Sequence, residues 1–426
     1  MRPSFKLRFV HVFLPLGMIL SMAAVFAADR GADLKFLYDG HRWFTLRNAI
    51  ANSGAPELYQ GAVAAAFDQR DDAVAHLQRA ITAAPNSQGA VEARVLLGHL
   101  YMRAGQYSKA VSMAKEQIAA RVGKPPSDGD RATLALLGKL PDMAVTARGA
   151  SILRYEMRGA NLSVPISINE KPANFVLDTD ANMSTLSESE AKRLGMLILD
   201  GAVAVVGVTG GIKPGGRVAI AQDFVIGNFH FKNVAFFVVR DDQEPFVEFP
   251  AGDRGIVGMP VILALQTLRW RHEGTIEIGF APQPKNLARA NICFDNEDPV
   301  TQIEFQKRRL EFVMDTGGED SELWPPFAKE FAGLLSQEGK KDSKTMTGFE
   351  GSKDFDVVTL PEVHFTLGGF HDVFRAAPVL MKPTVAPSNW YYGRAGMDLL
   401  NQAQSATMDF HAMTLTLNKK WTGTRK

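Results

Sequence analysis

Between about Leu34 and Ala120, apolar residues recur at helical spacing in a background rich in Ala, Leu, Gln and Arg, which predicts a helical region. From Tyr155 the period changes to two. Leu162, Val164, Ile166 and Ile168 alternate with small or polar residues, the pattern of a strand with one face buried. Asn169-Glu-Lys-Pro172 then turns the chain into Phe175-Val-Leu177, so a β-hairpin delivers Asp178. The same layout returns with Ile303 and Phe305, a turn through Gln306-Lys-Arg-Arg309, and Leu310-Glu-Phe-Val-Met314 delivering Asp315. Phe175-Val-Leu-Asp178-Thr179 and Phe312-Val-Met-Asp315-Thr316 stand 137 residues apart, and Ile168 to Asp178 and Phe305 to Asp315 both span ten residues, so the offset holds without a gap.

The correspondence runs on. Val206-Gly-Val-Thr-Gly-Gly211 is matched loosely by Met346-Thr-Gly-Phe-Glu-Gly351, followed by strand runs Phe224 to Val239 and Val363 to Val379. Each copy closes on a Gly-Met step, Gly258-Met259 and Gly396-Met397, before a short helical stretch and a last strand. These patterns predict an α+β multidomain chain. A signal peptide (1–27), a helical domain (28–122) and a linker (123–154) precede two copies of one mostly-β lobe (155–285 and 286–420). The linker rests on Lys124-Pro-Pro-Ser-Asp-Gly-Asp130, whose prolines and turn residues stop a helix. Leu134 to Leu140 reads as a connecting helix within it.

Arg2, Lys6 and Arg8 precede an apolar run from Phe9 to Ala27 that ends in small residues, the plan of a secretory signal cleaved after Ala27 or Ala28. The alternative is an uncleaved anchor, because the run approaches the ~20 residues that span a bilayer. Export to a periplasmic or extracellular space is therefore expected, with membrane anchoring as the second reading. Loss of residues 1–27 removes three basic and no acidic residues and turns a formal +1 into −2, so no basic footprint for nucleic acid remains. Cys293 is the sole cysteine, which excludes an intramolecular disulfide.

Two Asp-Thr sequences at the ends of apolar strands point to a pair of carboxylates that share one proton, one acting as base and the other as acid. With the hairpin glycines and the late glycines, they resemble the retropepsin-like and pepsin-like aspartic peptidases, as a bacterial member with both lobes in one chain. The resemblance covers most of residues 155–420 and implies that the two lobes form a pseudo-twofold bilobal unit. It implies that Asp178 and Asp315 face each other as the catalytic pair of an aspartic-type endopeptidase and hold a water between them, with a polypeptide as substrate. It also implies that Thr179 and Thr316 bond across to the opposite lobe, and that Gly317 frees the loop and offers its amide. The first copy departs from this plan with Asp180 at the third position, which adds a Cβ and a carboxyl beside Asp178. A catalytically weak or inactive bilobal scaffold that binds peptide or protein is the alternative function. The loops Gly207 to Gly216 and Gly348 to Gly351 are candidate flaps.

Leu58-Tyr-Gln-Gly61 onward and Leu96-Leu-Gly98-His-Leu-Tyr101 onward resemble tetratricopeptide units. Their glycines are 37 apart against a usual period of about 34, which implies a small insertion near Asn86-Ser-Gln-Gly89. The resemblance implies a concave face for a protein partner. The alternative is a short bundle packed on the rest of the chain. The histidines form no zinc-binding spacing and one cysteine makes no knuckle, so neither metal nor cofactor is expected. The glycines of 207–216 lack the P-loop spacing. Glu319-Asp320-Ser321-Glu322 reads as a solvated turn or a helix start, and Asn389-Trp390-Tyr391-Tyr392 as packing behind the second loop or as a cleft lining.

Overall fold

Alternation of helical and two-residue periods translates into a helical region followed by two sheets built to one plan. The computed structural model describes residues 30–51, 54–122, 127–206, 212–348 and 351–420. The expected signal at 1–27, Lys124-Pro-Pro126 of the proline-rich stretch and the tips of both glycine-rich loops lie outside the described residues. Among the described residues no helix is long and apolar enough to cross a membrane.

Helices α1 (Arg30–Asp39), α2 (Trp43–Ile50), α3 (Glu57–Ala66), α4 (Arg70–Ala83), α5 (Gln88–Arg103), α6 (Tyr107–Ala120) and α7 (Asp128–Leu137) come first. Consecutive helices from α3 to α6 pack on each other, and α3 also meets α5. Ser87 caps α5 by accepting the Ala90 amide at 3.1 Å. Gly61 lets α3 approach α4, since a Cβ there would lie 2.5 Å from Leu77 Cγ. A Cβ on Gly98 would meet nothing within 4 Å, so close helix approach is not what a glycine serves there.

The first lobe contains β1 (Ala144–Ala147), β2 (Ser151–Arg154), β3 (Glu156–Arg158), β4 (Asn161–Ile168), β5 (Lys171–Leu177) and β6 (Ser184–Ser187). After α8 (Glu188–Arg193) follow β7 (Leu197–Val206), β8 (Ile212–Ile226), β9 (Phe229–Val239) and β10 (Gly255–Val257), then α9 (Met259–Leu265), β11 (Thr267–Arg271) and β12 (Thr275–Ile278). The second lobe has β13 (Ile292–Asp295), β14 (Asp298–Phe305), β15 (Arg308–Met314) and β16 (Glu322–Leu323), with α10 (Pro325–Glu330) and α11 (Ala332–Glu338) next. It continues with β17 (Lys340–Gly348), β18 (Gly351–Leu367), β19 (Phe370–Leu380), β20 (Gly393–Ala395), α12 (Met397–Leu400), β21 (Ala403–Asp409) and β22 (Thr414–Lys420).

Each strand from β4 to β10 has a counterpart ten strands later with corresponding neighbours, except that β9 also pairs with β1. β5 pairs with β4 and with β10 as β15 does with β14 and β20, and the β4–β8 contact returns as β14–β18. The hairpins that deliver the aspartates match in detail. Asn169 and Glu170 (φ 49° and 66°) and Gln306 and Lys307 (φ 48° and 64°) place both turn residues in the left-handed region, the two-residue turn whose twist suits flanking strands. Phenylalanines fill both cores: Phe175, Phe224 and Phe236 cluster in the first, and Phe305, Phe312 and Phe365 in the second.

One expectation needs correction. The span 123–154 is not a bare linker, because it holds α7, β1 and β2. β2 edges a five-stranded sheet, β2-β12-β11-β21-β22, to which both lobes contribute. Four-residue strands with one exposed face carry too weak a two-residue pattern to stand out from connecting chain. The helical region is also tied to the second lobe at the β13–β14 turn. His41 Nδ1 pairs with Asp295 at 2.8 Å, His99 Nδ1 with Glu297 at 2.7 Å, and Arg103 Nη1 donates to Asn296 O at 2.7 Å. The aromatic run belongs to this contact, with Trp390 stacked on His41 (3.9 Å between centroids) and the Tyr391 hydroxyl donating to Asp295. It packs there rather than lining a cleft.

Candidate active site

Asp178 follows β5 and Asp315 follows β15, and both carboxyls are fully buried. The two Asp-Thr loops interlock. The Thr179 amide donates to Thr316 Oγ1 (3.0 Å) and the Thr316 amide to Thr179 Oγ1 (3.1 Å). Each hydroxyl in turn donates to a carbonyl of the opposite lobe, Thr179 Oγ1 to Met314 O (2.7 Å) and Thr316 Oγ1 to Leu177 O (2.9 Å). These four bonds cross between the chain ends of β5 and β15, so neither loop can shift without breaking bonds in the other. Asn161 adds a fifth, its Nδ2 donating to Thr316 O at 3.0 Å.

One oxygen of each carboxyl is held by backbone amides. Asp315 Oδ1 accepts from the Gly317 and Gly318 amides at 2.9 and 2.6 Å, and Asp178 Oδ1 accepts from the Asp180 amide at 2.9 Å. Asp180 therefore makes with Asp178 the bond that Gly317 makes with Asp315. Neither residue has a positive φ, so the loop places no demand for glycine's freedom at the third position. Asp178 Oδ2 is buried without a hydrogen-bond partner. Burial, and then the nearby Asp315, push the Asp178 pKa well above the usual carboxylate range, while the Asp180 and Ala181 amides and Arg394 oppose the rise. Asp180 is pushed up in the same sense by burial and then by Asp315 and Asp298.

Gly258 and Gly396 are where β10 and β20 run onto these loops. A Cβ on Gly258 would lie 2.6 Å from Ala181 O, and one on Gly396 2.8 Å from Gly318 O, so only glycine fits beside either loop. Ser184 Oγ accepts the Gly258 amide at 3.0 Å, and Ser321 Oγ accepts the Gly396 amide at 2.8 Å. Asp398, where the first copy has Pro260, receives the Ser321 amide (2.9 Å) and hydroxyl (2.5 Å). Proline at a helix start costs no hydrogen bond, so the two late segments close by different means.

The acidic cluster differs from the solvated turn expected of it. Ser321 and Glu322 are buried, and Glu319 Oε1 accepts the Ala160 amide across the lobes at 3.2 Å. Glu322 receives the Trp324 indole N–H (2.9 Å) and stands 3.2 Å from Arg394 Nη2. Arg394 Nη1 lies 3.3 Å from Asp315 Oδ2, and its side chain is only 4% exposed. Sequence reasoning missed this buried ion pair. The repeat held a signal for it, because Glu322 falls where the first copy has Thr185 and Arg394 where it has Ile256. Among the described residues no group of three or more His, Cys, Asp or Glu could hold a metal.

Residues 164–261 match a family model described as aspartyl protease. That span contains β4, β5, the Asp178 loop and Gly258, and it supports an aspartyl protease relationship for the first lobe. Among solved structures, the chain is similar to a retropepsin-like aspartic protease from Rickettsia conorii, at 17% identity and a TM-score of 0.24, over 33% of this chain and 96% of that one. No curated protein matches the chain.

Proposed function

We propose that the protein is an aspartic endopeptidase whose Asp178 and Asp315, one from each lobe, activate a water to hydrolyse a peptide bond. The observation that carries this reading is the reciprocal pair of threonine bonds, which ties two matching carboxyl-bearing loops together at their chain ends. Such support holds reacting groups in a fixed geometry, the condition for acid–base work by a pair. In the reaction, one carboxylate takes a proton from water as the water oxygen bonds to the carbonyl carbon. The other carboxyl gives its proton to the carbonyl oxygen. Collapse breaks the C–N bond, the first carboxyl passes its proton to the leaving nitrogen, and the second recovers one from the diol.

The hairpins β7–β8 and β17–β18 are the arms that would fold over a peptide and exclude water. The helical region supplies either a partner-binding face of tetratricopeptide type or a brace for the second lobe, and its bonds to the β13–β14 turn favour the brace. Export from the cytoplasm through residues 1–27 completes the proposal.

The test is cleavage of a mixed peptide library by the chain from Ala28 onward, from acidic to neutral pH, beside Asp178→Asn and Asp315→Asn. Cleavage that drops by roughly 10²–10⁴-fold in both variants is expected. A folded wild-type chain that cleaves nothing at any pH but retains peptides would move the assignment to a binding scaffold.

A further inference from the structure

The two lobes treat their aspartates differently. Lobe 1 sets Ile256 and Thr185 across from each other on β10 and β6, whereas lobe 2 sets Arg394 and Glu322 at the matching positions on β20 and β16. The consequence falls on Asp315. Its Oδ1 takes two backbone amides and its Oδ2 lies 3.3 Å from the Arg394 guanidinium. Asp178 Oδ2, equally buried, has no cation within ion-pair distance among the described residues, so the ion pair with Arg394 is what distinguishes the two carboxyls. We infer that Arg394 makes the pair asymmetric: it holds Asp315 as the ionised member, the base, and leaves the shared proton on Asp178, the acid. The inference rests on reading Asp178 and Asp315 as the working pair, and Arg394 in it is a positioning residue that acts through Asp315.

Charge balance around the site supports this. The groups that face Asp315 are Asp178 and Asp180 from the first loop, Asp298 at the start of β14, Glu322 on β16 and Arg394 on β20. Asp320 lies farther out with Lys344 3.7 Å away. Among the described residues, Arg394 is thus the one cation set among five carboxyls at this core. Burial works against its charge, and Glu322, Asp315 and Asp180 outweigh that and keep it protonated. A guanidinium beside a carboxylate lowers its proton affinity by about 1–3 pH units, and Glu322 shares part of that charge here. Two neighbouring buried carboxylates cannot both ionise readily, so fixing the charge on Asp315 fixes the proton on Asp178.

Two changes should act in opposite directions. Removing Arg394 and Glu322 together, as Arg394→Ile with Glu322→Thr, restores the residues of lobe 1 and raises the proton affinity of Asp315. Glu322→Gln leaves the arginine charge unshared and lowers it. Carbon-13 NMR titration reads this directly in the Asp178→Asn background, where Asp315 titrates alone. We expect its midpoint to move up by about one pH unit or more in the double replacement and down in Glu322→Gln. In the Asp315→Asn background, the midpoint of Asp178 moves less. The acid limb of the kcat/KM profile follows the same signs. Equal movement at both aspartates, or none, would overturn the asymmetry. A double replacement that fails to fold leaves Glu322→Gln to decide by its sign. Absence of peptide cleavage in the wild type would defeat the proposed function, yet the titration would still report on Arg394.

Discussion

Glu311, on the strand that delivers Asp315, shows how one side chain sets a pH dependence. Burial raises its pKa from 4.5 to about 7, with Asp295 adding to the rise and Arg42 opposing it, and its Oε2 has no hydrogen-bond partner. A carboxyl whose pKa is raised on folding favours the fold while protonated, so this contribution fades as pH rises from about 4.5 to about 7. Each tenfold change in proton affinity corresponds to about 1.4 kcal/mol, which puts the full effect at roughly 3 kcal/mol. Glu311→Gln should therefore narrow the gap between melting temperatures at pH 5 and pH 8, and an unchanged gap would assign the pH dependence to other groups. Asp180 carries the other lesson at this scale. As a letter in place of glycine it looks like damage to the loop, but its backbone makes the required bond.

At the scale of elements, the two aspartate loops depend on each other as well as on their own lobes. Replacing Thr179 with Val keeps the shape but strips the Thr316 amide and the Met314 carbonyl of their partners. Leaving such buried groups unpaired costs about 1–3 kcal/mol each. Thr179→Val and Thr316→Val should each lower the melting temperature and reduce kcat, while Thr179→Ser restores both, because serine keeps the hydroxyl. If valine and serine variants melted together, the hydroxyl bonds would not be what joins the loops. The late glycines act at the same scale: Gly258→Ala pushes a methyl against Ala181 O and the Met183–Ser184 backbone, which cannot retreat as a flexible side chain could. Overpacking of this kind costs about 1–3 kcal/mol, and a thermal melt checks it.

Across the whole molecule, the helical region and the second lobe meet through charged groups rather than an apolar face alone. His99 is the most enclosed of these. Burial would drive its proton off, but Glu297 outweighs burial and the pKa ends above the ordinary 6.5. The stability it contributes is full below that value and is lost as pH rises through the raised one. His99→Ala should therefore destabilise the protein by roughly 3 kcal/mol at pH 6 and by much less at pH 9, since it leaves Glu297 buried without its cation. Equal losses at both pH values would point to lost packing instead. The β13–β14 turn that receives His41, His99 and Arg103 continues into Asp298. The helices are thus braced a few residues from the carboxyl cluster.

The two hairpins, their 137-residue offset and the two Asp-Thr loops were legible in the chain alone, because strand periodicity and turn chemistry are local and a repeat makes them visible twice. The late glycines were legible for the same reason, although why they must be glycine emerges only from the loop backbones packed against them. The partnership of charges came from folding instead. Arg394 and Glu322 are 72 positions apart in number, and each looks like a surface residue until β16 and β20 pair and bury them beside Asp315. The same holds for His99 with Glu297, and for β2, whose place in a shared sheet depends on strands from both lobes. A charge declares its role by what surrounds it, and that surrounding comes from chain far away in sequence.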